Sequence, residues 1–508
     1  MTNHLAAALG IGRTDRHDRR FATMPDGRYY RYADVDGVSA RFARAVQALG
    51  VQPGDRVAVQ VEKSIEALML YLGVVRAGAV FLPLNTAYTP AEIGYFVGDA
   101  EPTLLVADPS RAEALAAAAG GVRIETMGVW AADNPDPGSL FSHVPEAPGD
   151  FADVARGPDD LAAILYTSGT TGRSKGAMLS HENLASNARV LAAYWRFTAD
   201  DVLIHALPIF HTHGLFVATN TTLVAGSSML FQPRFDADAV LAALPEATAL
   251  MGVPTFYTRL LADPRLDGAR TAGMRLFVAG SAPLLAETHR QWEARTGHAI
   301  LERYGMTEAS MITSNPYDGA RRAGTVGHPL PGVSLRILDP ETGAECPPGT
   351  VGMIHVKGPN VFRGYWRMPE KTAEELSPEG WFVTGDLGTI DSEGYVVIVG
   401  RGKDLIISGG FNVYPKEVEG EIDRLPGVVE SAVIGVPHPD FGEGVVAVVV
   451  PEAGAPREAA QVLEPLADRL ARFKQPKHVI FVDALPRNTM GKVQKKALRD
   501  AHALLFAG

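Results

Sequence analysis

The sequence predicts an α/β protein. A large N-terminal domain of stacked α/β subdomains carries a β-rich subdomain, and a small, mobile α+β C-terminal domain follows. Three observations predict this. Strand-like runs such as Val57-Ala-Val-Gln-Val alternate with alanine-rich helical segments. From about Thr325 the texture changes to short strands separated by Pro-Gly and Glu-Gly turns. Past Lys403 the mixed pattern returns. The 508 residues amount to roughly three domains of about 150 residues each.

The elements follow in order. Pro25-Asp26-Gly27 is a turn between short strands. Residues 67–84 form the longest apolar window, interrupted by Arg76 and two glycines. They read as helix, turn and buried strand rather than a membrane span. Further strands fall at 103–107, 202–207 and 276–280, and in the β-rich part at 333–338, 353–356 and 395–399. Beyond Lys403 they fall at 429–436 and 445–450. Arg401-Gly402-Lys403-Asp404, charged and glycine-containing, suits an exposed hinge. The domains are therefore expected at 1–402 and 403–508. Gly442-Glu-Gly-Val-Val-Ala447 spells a dinucleotide fingerprint but precedes a strand, not a helix, so its context rejects that reading.

Composition excludes several classes. The net charge of −11 argues against nucleic acid as a partner. Residues 469–499 run the other way, with nine Lys/Arg against the single acid Asp483. That segment is either a solvated face or one that meets an anion. The single cysteine, Cys346, forbids an internal disulfide and suggests a reducing compartment. The N-terminus lacks the pattern of a secretory signal, so a cytoplasmic enzyme without membrane attachment is expected.

One stretch concentrates chemistry: Tyr166-Thr-Ser-Gly-Thr-Thr-Gly-Arg-Ser-Lys-Gly176. The apolar run 161–165 feeds it like a buried strand, and residues 177–179 read as a return strand. Ser180 then looks like a helix N-cap. Backbone N–H groups and hydroxyls without Cβ crowding can surround a phosphate. The spacing is not Walker A, because Lys175 is preceded by Ser and followed by Gly. A plain Gly/Ser/Thr linker is the competing reading. Tyr304-Gly-Met-Thr-Glu308 offers a ring for stacking, a hydroxyl and a carboxylate suited to Mg²⁺, or else simply starts a helix. Thr384-Gly-Asp386 is suited to ribose hydroxyls, or is a turn. Pro486-Arg-Asn-Thr-Met-Gly-Lys492 places a lysine after a loop in the basic segment.

In order and spacing these motifs, with 400–410, resemble the adenylate-forming superfamily of acyl-CoA synthetases, peptide-synthetase adenylation domains and luciferases. The resemblance covers essentially the whole chain. It implies that a carboxylate attacks the α-phosphate of Mg·ATP to give an acyl-adenylate. The C-terminal domain then rotates and a thiol, that of coenzyme A, displaces AMP. By the same resemblance Thr167, Ser168, Gly169, Thr170, Thr171, Gly172 and Lys175 wrap the phosphates. Gly280, Ser281, Ala282, Gly305, Met306 and Thr307 complete the ATP site. Glu308 holds Mg²⁺, Tyr304 stacks on adenine, Asp386 binds ribose, Arg401 contacts the nucleotide and Lys403 is the hinge. Many relatives carry Asp where this chain has Lys403. Lys492 bridges carboxylate and phosphate, where positive charge stabilises the transition state. Ser408, Gly409 and Gly410 line a pantetheine tunnel gated by His211.

Arg259 and Arg303 fall in segments that form the acid pocket. In strand alternation Arg303 faces away from Tyr304. A buried unpaired arginine is costly, and a second carboxylate on the substrate would offset it; pairing with a protein acid such as Glu302 is the alternative. The segments around Leu207, Gly252, Gly280 and Leu301 resemble malonyl-CoA synthetases, in which the residues matching Arg259, Arg303 and Ser281 bind the distal carboxylate of malonate. The expectation is therefore a malonate:CoA ligase with some methylmalonate use. A ligase for another acid and a stand-alone enzyme loading a carrier protein are the alternatives. Lys492 is also a candidate for a lysine acetyltransferase.

Overall fold

Two sheets of mostly parallel strands carry the N-terminal domain, and each is reversed where the expected phosphate and metal motifs lie. The computed structural model describes residues 2–129, 137–149, 151–167, 174–409, 411–488 and 491–506. The first sheet runs Arg123–Thr126, Leu104–Ala107, Arg56–Gln60, Val80–Pro83, Leu161–Thr167, Lys175–Ser180. Its strands are parallel except the last, which turns back on Leu161–Thr167 and sets Thr167 opposite Lys175. The second sheet has nine strands, with Val202–His205, Ala249–Gly252, Leu276–Ala279 and Leu301–Met306 parallel at its centre. Leu301–Met306 then pairs antiparallel with Ser310–Ser314. Tyr304-Gly-Met thus extends a strand and does not start a helix, and Glu308 sits in the reversal.

The central strands are buried along their length, because helices cover both faces. Ile65–Arg76 is N-capped by Ser64 and followed by Val80–Pro83, the helix, turn and strand expected of 67–84. Ser180 caps His181–Tyr194 as expected. The helices Tyr32–Ala48 and Ile65–Arg76 cross at Gly73. A Cβ there would lie 2.7 Å from the Phe42 Cβ and 2.9 Å from the Ser39 carbonyl oxygen, so only glycine allows this approach.

The β-rich part is one antiparallel sheet, Ser334–Leu338, Gly352–Lys357, Phe382–Ile390, Val396–Arg401. Thr384-Gly-Asp386 lies inside its third strand, not in a turn, with Gly385 at φ +74°. The small C-terminal domain has a separate sheet in which Gly442–Pro451 pairs with Val428–His438 and, in parallel, with His478–Phe481. Alternate residues of Gly442–Pro451 face two apolar cores on opposite sides of that sheet. One core gathers Val418, Val445, Ala447 and Val449, and the other gathers Ile434, Val446 and Val448. Gly442 to Ala447 lie within the strand, consistent with rejecting a dinucleotide site.

The basic segment is largely answered by acids. Arg469, Lys474, Arg487, Lys495, Lys496 and Arg499 are each ion-paired, to Glu421, Glu417, Glu430, Glu419, Asp500 and Asp404. Among the described residues no helix is long and apolar enough to cross a membrane. Replacing Gly73 by alanine is expected to cost about 1–3 kcal/mol through overpacking. A lowered thermal midpoint checks this; an unchanged one would mean that the helices separate freely.

Candidate active site

The expected phosphate loop is held at both feet by one helix, Pro90–Ala100. The Tyr166 hydroxyl donates to Asp99, and the Tyr95 hydroxyl donates to the Ser174 carbonyl at 2.7 Å. Ser168, Gly169, Thr170, Thr171 and Gly172 lie outside the described residues, as does Gly410. Lys175 leaves the loop with its Nζ 3.2 Å from Glu375 Oε1 and 3.9 Å from the centre of the Tyr365 ring.

The Tyr304 hydroxyl donates to Asp386 Oδ2 at 2.5 Å, and Arg401 Nε lies 2.8 Å from Oδ1 in an ion pair. Strand pairing fixes this group, because Asp386 and Arg401 are direct partners across the β-rich sheet. Glu308 is buried, and burial pushes its carboxyl above the ordinary range. The Tyr365 hydroxyl lies 3.1 Å from its Oε1. Among the described residues no group of three or more His, Cys, Asp or Glu could hold a metal. A single carboxylate still fits Mg²⁺ that arrives on a triphosphate, since Mg²⁺ takes one or two carboxylates plus phosphate oxygens and waters.

Arg303 is buried, and no acid pairs with it among the described residues; its Nε and Nη2 have no partner. Burial pushes its guanidinium down to about 9, which leaves it a cation at neutral pH. Gly280 makes room for it: a Cβ there would lie 2.4 Å from Arg303 Cζ. Ser281, at φ +70°, places its Oγ 3.2 Å from His213 Nδ1. His213 opens a π-helical turn, His213–Thr219. Burial, then Arg303, pushes His211 down to about 4, and the same two causes hold His213 well below the usual histidine range, so both rings are neutral beside the arginine. Glu302 does not pair with Arg303. It points to the other face and accepts from Leu284 N at 3.2 Å.

Arg259 differs from expectation. It is exposed on the helix Pro254–Leu261 and is not brought into the buried group around Arg303. It does share a helix face with Thr255, four residues earlier. Gly491 approaches that threonine, so that an added Cβ would lie 3.4 Å from Thr255 Cγ2. Lys492 follows Gly491 and lies among Arg401, Asp386, Asp404 and Glu308; desolvation first, then Arg401, lowers its ammonium. Lys403 is pushed down to about 8 by desolvation and Arg401. Ser408 is buried, and Gly409, at φ +60°, neighbours Phe441 of its own domain. Sequence reasoning missed Tyr365, Glu375 and His213. Only His213 carried a signal, as the second histidine of Pro208-Ile-Phe-His-Thr-His213.

The model of the AMP-binding enzyme family matches residues 13–366, and that of the AMP-binding enzyme C-terminal domain matches 417–492. The chain belongs to the AMP-binding enzymes. It is 38% identical to a feruloyl-CoA synthase of Amycolatopsis sp, over 98% of this chain and 99% of that one. It is 34% identical to a malonate–CoA ligase of Arabidopsis thaliana, over 94% and 86%. The crystal structure of ATP-bound MatB from Rhodopseudomonas palustris matches with a TM-score of 0.96 and 61% identity over the whole of both chains. The chain is an AMP-forming acid–CoA ligase, with ATP, carried with Mg²⁺, and CoA as substrates.

Burial raises the Glu302 carboxyl to about 7 from an ordinary 4.5. The folded state therefore binds more protons than the unfolded chain between those values, and stability falls as pH rises through that window. Glu302→Gln removes this dependence. Thermal midpoints of the two proteins should diverge in slope between about pH 5 and 7, the wild type losing more; parallel curves would contradict the assignment.

Proposed function

We propose that the chain is a malonate:CoA ligase, with methylmalonate as a secondary substrate. The observation that carries this reading is the buried Arg303, a cation with no acid partner among the described residues, beside Gly280, Ser281 and two neutral histidines. A monocarboxylic acid would leave that charge uncompensated. A distal carboxylate would meet it through a bidentate fork. Arg259, exposed on the helix face that meets the Lys492 loop, is the second cation assigned to that carboxylate in this reading. Relatives that are malonate–CoA ligases, from Arabidopsis thaliana and Bos taurus, support the reading.

This reading implies the following chemistry. The free carboxylate of malonate attacks the α-phosphorus, the α–β phosphoanhydride bond breaks, and pyrophosphate leaves. Thr167 and Lys175 would meet the phosphates, Glu308 would hold the Mg²⁺ that the nucleotide carries, and Asp386 and Arg401 would take the ribose side, with Tyr304 against adenine. Lys492 adds positive charge where the pentacoordinate phosphorus forms. Residues 403–508 then turn about Lys403, and Ser408 and Gly409 line the thiol's approach past His211. The thiol of CoA attacks the acyl carbon, loses its proton, and expels AMP.

Arg303→Ala should lower kcat/KM for malonate by about 100-fold or more, the scale of a lost charge-assisted pair. ATP affinity should change less than about threefold, because the arginine lies on the acid side of the strand. Steady-state kinetics and calorimetry check both; unchanged malonate kinetics would remove the dicarboxylate reading.

A further inference from the structure

Lys175 is already occupied. Its Nζ lies 3.2 and 3.4 Å from the two oxygens of Glu375, at the end of the helix Pro369–Glu375. Glu375 is held independently: Lys371 Nζ lies 2.9 Å from Oε1, and the Tyr365 hydroxyl donates to Oε2 at 2.6 Å. Tyr365 is fixed in turn by its backbone. Its N–H donates to Thr372 Oγ1 at 2.9 Å, and the neighbouring Trp366 N–H donates to the Gly176 carbonyl at 2.8 Å, beside the phosphate loop. The same hydroxyl lies 3.1 Å from Glu308.

We infer that Glu375 is a placeholder for the triphosphate: it holds Lys175 while no nucleotide is bound and yields it to the β- and γ-phosphates. Glu375 keeps Lys371 and Tyr365 when Lys175 leaves, so no carboxylate is stranded by the exchange. With Lys175 held on Glu375, Glu308 makes no ion pair among the described residues and stays open to Mg²⁺. Once pyrophosphate departs, Glu375 recaptures the lysine. Glu375 is thus a positioning residue acting through Lys175. The inference rests on the nucleotide-site reading and not on the identity of the acid.

The test is calorimetric binding of ATP and of AMP, with Mg²⁺ and without the acid, so that nothing turns over. Glu375→Gln removes the competing charge at equal size. ATP should bind about three- to tenfold more tightly, AMP should bind as to wild type, and the gain should vanish in a Lys175→Met background. Unchanged or weaker ATP binding by Glu375→Gln with normal AMP binding overturns the placeholder. So does a gain that persists without Lys175. Failure of the wild type to bind either nucleotide would instead overturn the site reading.

Discussion

Burying the Arg303 guanidinium costs on the order of several kcal/mol that no protein acid offsets among the described residues. The acid end of the cleft is arranged around that constraint. Strand alternation in Leu301–Met306 sends Arg303 one way and Tyr304 the other. One strand therefore presents a buried cation on one face and, on the other, a tyrosine bonded to Asp386. Gly280 lacks the Cβ that would collide with the guanidinium, and the π-helical turn sets His213 against Ser281.

The nucleotide end is governed by a second set of contacts, which join segments far apart in sequence. Asp386 gathers Tyr304 and Arg401, while Tyr365 gathers Glu308 and Glu375. Lys492 reaches this cluster from the C-terminal domain. The two sheets contribute through their reversals, one carrying Lys175 and the other Glu308.

Much of this was legible in the sequence. The Gly/Ser/Thr loop between two apolar runs marked its own strands, and alternation placed Arg303 opposite Tyr304. Pro254 marked the start of the helix that bears Arg259. What was not legible depends on distant partners. Glu375 lies in Pro-Glu-Lys-Thr-Ala-Glu-Glu, which reads as a solvated helix, and its partner Lys175 is 200 residues away. The basic stretch 469–499 looked unbalanced because the acids paired with it, five between Asp404 and Glu430 and then Asp500, all lie outside it. Arg259 has the right helix but an exposed position, since periodicity fixes a face and not the depth of burial.

The most direct measurement is AMP release from Mg·ATP by the wild-type enzyme with malonate or butyrate, with and without CoA. CoA-dependent turnover on malonate and little on butyrate is the result the proposed reading expects, because only malonate carries a second carboxylate to offer Arg303. Equal or faster turnover on butyrate would contradict the dicarboxylate pocket and leave Arg303 a structural cation.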